Sequence, residues 1–205
     1  MRAMEAGQPR SASGAERAEH RADIVGGAAQ RLTLDDAMLA VGPPADAVDL
    51  VALDDADIDT LARHNVHVAH CPTANLKLAS GIARTPEMVR ASINICLGTD
   101  GAAGNNRLDL LSEVRLAGLL AKGTHQDASL FPAHSLIYMA TLGGARALGL
   151  ADHIGSLVPG KQADLCAIRL DTPATLPVFD PASHVIYAAG REHVTDVWRS
   201  EERRV

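Results

Sequence analysis

Two short apolar runs constrain this chain most: Val66-His67-Val68-Ala69-His70 and Ile93-Asn94-Ile95-Cys96-Leu97. Each is too short for a helix and rich in β-branched residues. Each follows a stretch with helical spacing and stops abruptly, the first at Cys71-Pro72 and the second in the loop Gly98-Thr99-Asp100-Gly101. Buried strands separated by helices are the grammar of a parallel α/β architecture. The helical stretches read as Asp54 to His64, capped by Asp54 or Asp55, then Pro86 to Ser92, then Leu108 to Lys122. In the last, Leu111, Val114, Ala117 and Leu120 form one stripe, and Gly123 is expected to end it. An earlier apolar run, residues 47–53, reads as a third buried strand.

Beyond Pro132 the pattern changes. Helices are expected at 134–141 and 143–148, then short strands near 163–169, 184–189 and 194–198, forming a small separate β layer. Residues 1–46 are rich in Ala, Gly, Arg and Asp and show little periodicity. All five aromatic residues (Phe131, Tyr138, Phe179, Tyr187, Trp198) lie after residue 130. The expected division is therefore a poorly structured segment 1–46, with at most a short helix at 31–39, an α/β unit 47–150 and a β portion 151–205.

A formal net charge of −6 over 205 residues argues against nucleic acid or an anionic membrane as partner, because phosphate recognition requires clustered Lys and Arg. Three widely spaced cysteines (Cys71, Cys96, Cys166) fit neither a disulfide framework nor a zinc ribbon. With no apolar leader or spanning segment in the sequence, the expectation is a cytoplasmic chain. Neither a nucleophile elbow nor a P-loop occurs.

In parallel α/β folds, chemistry collects at the C-terminal ends of strands. Asp100 lies there, in the glycine-rich loop GTDGAAGNN, and His70 and Asn75 follow the neighbouring strand in HCPTANLKLASGIA. Taken singly, Asp100 reads as a turn residue and His70 as a hydrogen-bonded structural histidine. Together and in order, HCPTANLKLASGIA, LGTDGAAGNNRLDLLSEVRLAGLLAK, MATLGGARALGL and IGSLVPGKQADLCAIRL resemble the amidohydrolase superfamily. The likeness is nearest to the methylthioadenosine/S-adenosylhomocysteine deaminases and the triazine hydrolases, and runs from about residue 47 to 198.

That resemblance implies a partial (β/α)8 barrel, about its last three strands, with part of a small β-sandwich. It implies hydrolytic removal of an amine from a purine-type or triazine-type small molecule by water activated on a divalent metal, usually zinc. Asp100 matches the family's last metal ligand, which also moves a proton. His70 matches a histidine near the pocket but outside the metal shell; Asn75, by its amide, reads as an anchor for a loop or a ligand, and His70, Asn75 and Asp100 are the expected substrate-binding residues. The family often has Ser where Gly104 stands.

The family's HxH pair is absent from the sequence. His64, His67 and His70 are three apart but are not expected to share a face. His20 and Asp23 form an HxxD without a preceding strand, and Asp49 stands where the family has a catalytic histidine. A full barrel needs ~250 residues. The expectation is a C-terminal portion of a deaminase, inactive alone, whose uncovered strand edge favours a homo-oligomer or pairing with an intact homologue. The alternative is a non-catalytic remnant that pairs in the same way.

Overall fold

A computed structural model describes residues 46–48, 50–200 and 202–204. The architecture is α/β. Strands β1 (Asp46–Val48), β2 (His67–His70) and β3 (Asn94–Leu97) form a parallel sheet in chain order, with β2 in the centre. Asp46 pairs with His67, and His67 with Asn94, so the strands run nearly flush. Each crossover moves one strand to the same side, which places all strand ends, and the loops leaving them, along one rim.

The crossovers are helical for identifiable reasons. Helix α1 (Asp55–Arg63) begins in a capping box, with the Asp54 side chain accepting from the Asp57 N–H and the Asp57 side chain from the Asp54 N–H, at 3.0 and 2.9 Å. Between β2 and β3 lie two six-residue helices, α2 (Pro72–Lys77) and α3 (Thr85–Arg90), each with proline in its first turn, where a missing N–H costs nothing. The sequence marked the second but not the first. Helix α4 (Leu110–His125) is capped by Asp109, whose carboxylate accepts from the Ser112 N–H and hydroxyl. Its expected stop at Gly123 is overturned: the helix continues to His125, and the left-handed turn falls on Gln126 (φ 52°). Helices α5 (Ala133–Ala140) and α6 (Leu142–Ala147) follow.

Two further expectations are corrected. The strand expected over 47–53 is confined to Asp46–Val48, and Leu50 to Leu53 lead as loop into the Asp54 cap. The strand expected over 184–189 is helix α7 (Pro181–Tyr187). There Asp180 caps with both carboxylate oxygens, to the N–H groups of Ala182 and Ser183, and Pro181 fits the first turn, so capping overrides a β-branched run. The C-terminal sheet is a single antiparallel layer, β4 (Leu165–Ile168), β5 (Val194–Arg199) and β6 (Glu202–Arg204). No second sheet faces it among the described residues, so a sandwich is not formed by them.

The core fills the space between the parallel sheet and the helices. Val68 and Ile95 from the sheet meet Leu61, Met88, Val114 and Leu136 from the helices, all at most 2 % exposed. Full burial of each large side chain contributes about 1.5–3 kcal/mol. Helix α7 adds Ile186, and Arg115 on α4 binds its end, donating to the carbonyl of Ile186 at 3.0 Å and to that of Ala189.

Candidate active site at the strand ends

The site is built from the loops that leave β2 and β3 at the same rim. Directly beyond the paired residues His70 and Leu97, the Gly98 N–H donates to the His70 carbonyl at 3.1 Å. This bond extends the ladder by one step. A Cβ at Gly98 would lie 3.1 Å from Cys71 Sγ, so the two loops approach too closely there for a larger residue.

Asp100 is exposed, in the loop two residues past that point, with φ 58°. Aspartate is among the few non-glycine residues that tolerate this left-handed region. Its carboxylate lies over Gly104, and a Cβ on residue 104 would overlap its Oδ2. A serine at this position would therefore turn the Asp100 side chain away. The loop closes on itself through the Asn105 N–H donating to the Gly101 carbonyl at 2.8 Å.

His70 ends β2 and is 5 % exposed. Strand alternation places it with Val68, on the face that the helices cover, and His67 on the other face. Burial lowers its pKa from 6.5 to about 4, so the imidazole is neutral near pH 7. Its Nδ1 is buried without a hydrogen-bond partner. Asn75, on α2, is 3 % exposed, and its carbonyl accepts from the Ser80 N–H at 2.8 Å. Asp100, His70 and Asn75 thus share one rim, but only Asp100 is open to solvent.

One residue escaped the sequence reading. Glu113, on the first turns of α4, is 1 % exposed. Its Oε2 accepts from the Thr73 N–H at 3.0 Å and its Oε1 from Asn105 Nδ2 at 2.7 Å. A buried carboxylate in the middle of an amphipathic stripe is the signal that was available for it.

A catalytic zinc takes three or more protein ligands. Among the described residues no group of three His, Cys, Asp or Glu side chains converges, so the residues around Asp100 do not by themselves fit the metal. His20, Asp23 and Asp49 lie outside the described residues. His64 caps the end of α1, and with His67 and His70 pointing to opposite faces of β2, the trio makes no ligand set. No disulfide joins the three cysteines, and no helix among the described residues is long and apolar enough to cross a membrane.

A parallel sheet with its helical crossovers and a glycine-rich loop at one strand end defines a protein of the α/β class. The amidohydrolase family model matches residues 2–202, and the chain belongs to that family. A 5-methylthioadenosine/S-adenosylhomocysteine deaminase of Moorella thermoacetica is 47 % identical over 154 residues, which are 75 % of this chain and 36 % of that protein. The deaminase of the same name from Teredinibacter turnerae is 46 % identical over 149 residues, 73 % of this chain and 34 % of that one. Among solved structures, an adenosine deaminase from Xanthomonas campestris with bound zinc superposes with a TM-score of 0.77 at 47 % identity, covering 80 % of this chain and 37 % of that one. A triazine hydrolase variant superposes with 0.72 at 30 % identity, covering 77 % and 35 %. The chain therefore spans about a third of the length of the relatives that it matches.

Proposed function

We propose that this chain is the C-terminal portion of a metal-dependent amidohydrolase that removes an amine from a purine nucleoside of the methylthioadenosine or S-adenosylhomocysteine type. The observation that carries this reading is Asp100, an exposed carboxylate on the strand-end loop after β3, in a chain 47 % identical to a deaminase with that substrate name. In this reading the parallel sheet is a segment of a (β/α)8 barrel, for which its sequential strand order is the required topology.

Asp100 supplies one ligand to a divalent metal, zinc by preference, and takes up and passes on the proton of the reaction. The remaining ligands are not among the described residues. His70 and Asn75 are the substrate-side polar groups. A neutral imidazole with an unpartnered Nδ1 is suited to hydrogen bonding and, with a pKa about 4, unsuited to act as a general acid near pH 7.

The test is complementation. The chain is mixed with the N-terminal barrel part of a relative that carries an HxH pair, and methylthioadenosine deamination is followed by ultraviolet absorbance. Turnover that needs both parts and is lost in Asp100→Ala is the expected result. Complementation unaffected by Asp100→Ala removes the assignment.

A further inference from the structure

We propose that Glu113 is a positioning residue that fastens the His70 loop and the Asp100 loop into one body. It deepens the functional reading above and rests on it for the meaning of the two loops. Helix α2 starts without a side-chain cap of its own, because Cys71 at its N-terminus makes none. The orphan N–H of Thr73 is satisfied instead from forty positions along the chain, by Glu113 Oε2. The other oxygen, Oε1, receives Asn105 Nδ2, and the Asn105 Oδ1 in turn accepts from the N–H groups of Arg107 and Leu108 at 3.1 and 3.4 Å. One buried carboxylate thus connects the turn after His70 with the turn that closes the Asp100 loop.

The polarity of this network is fixed. Both groups that face Glu113 are N–H donors, so only a side chain that accepts twice satisfies them. Flipping the Asn105 amide would aim its N–H₂ at the Arg107 and Leu108 N–H groups, which also donate, so Asn105 cannot adapt. Lys77 adds a second, solvent-facing tie, donating to the Ala103 carbonyl and to Asn106 Oδ1 at 2.8 and 2.7 Å. The buried arm is the decisive one, because an unmatched donor there has no water to turn to.

The network allows a swap that separates positioning from bulk stability. In Glu113→Gln the new amide N–H₂ confronts Asn105 Nδ2, donor against donor. In Asn105→Asp two carboxylates confront each other. In the double variant Glu113→Gln/Asn105→Asp, the Gln amide donates to the Asp carboxylate, whose other oxygen still accepts from Arg107 and Leu108, while the Gln carbonyl still accepts from Thr73.

The experiment is residue-resolved amide hydrogen exchange on the full chain and these three variants. Each single variant is expected to raise exchange about tenfold in both 73–80 and 99–108, with β2, β3 and the second half of α4 unchanged, and the double variant to restore wild-type rates in both loops. In Glu113→Gln or Asn105→Asp, exchange rising in only one loop or everywhere alike overturns the proposal, and so does failure to recover in the double variant. Should Glu113→Gln not fold, Asn105→Ala reads the same clamp: loosening of 99–108 with Thr73 still protected supports it, and unchanged exchange in 99–108 refutes it. The clamp is read here in the chain alone, and Asp100 is read by complementation, so each fails independently of the other.

Discussion

The unit built on the parallel sheet and the C-terminal layer bury their apolar residues differently. Leu61, Met88 and Leu136 lie at 0 % exposure between the first sheet and its helices. The β4–β6 layer alternates half-buried and exposed along β5, and the segments around it leave Leu157 78 % and Phe179 86 % exposed. The first region has its core within the chain. The second is more open to water at Leu157 and Phe179, and α7, through Ile186 and the Arg115 bonds, packs against the first.

Side-chain truncation is expected to act very differently in the two regions. Leu136→Ala is expected to cost about 2–5 kcal/mol in urea unfolding, because it opens a cavity in the one closed core. Phe179→Ser is expected to change stability by less than about 0.5 kcal/mol. Equal costs at the two positions would mean that the C-terminal layer is as closed as the first.

Acid probes the same core from the end of β2. Burial holds the His70 pKa at about 4 in the folded chain against 6.5 when exposed. Between those values the unfolded chain binds the extra proton, so this group removes stability as the pH falls from 6.5 toward 4 and contributes no slope above that window. The loss reaches about 3 kcal/mol at the low end. His70→Gln is expected to flatten that part of the stability–pH curve, measured by urea titration, and an unchanged slope would place the imidazole in water.

A smaller effect sharpens the join between the regions. Arg115→Ala removes a charged donor from the carbonyls of Ile186 and Ala189, and is expected to cost about 1.5–3 kcal/mol. Hydrogen exchange should rise in α7 first, while β2 and β3 keep their protection. Loosening of the parallel sheet instead would show that the two regions unfold as one.

Much of the parallel unit was legible because local signals agreed there. The Asp54 cap, the two apolar strands and the α4 stripe each point to the same element. Legibility failed where one local signal was stronger than the one read. Asp180 and Pro181 turn a β-branched run into α7, and Gln126 takes the left-handed turn expected near Gly123. The rim position of Asp100 follows from a strand and the glycine-rich loop after it. Glu113 carried only the weak signal of a carboxylate within the α4 stripe, because its partners Thr73 and Asn105 come from two different loops and only the folded chain brings them together.

The proposed function makes Asp100 one member of a metal site whose other ligands are not among the described residues. The direct measurement is deamination of methylthioadenosine by the isolated chain with added zinc, read by ultraviolet absorbance, for wild type and Asp100→Ala. No turnover above the uncatalysed rate is expected in either. Turnover by the wild-type chain that disappears in Asp100→Ala would contradict it, and would mean that this chain assembles a complete site of its own.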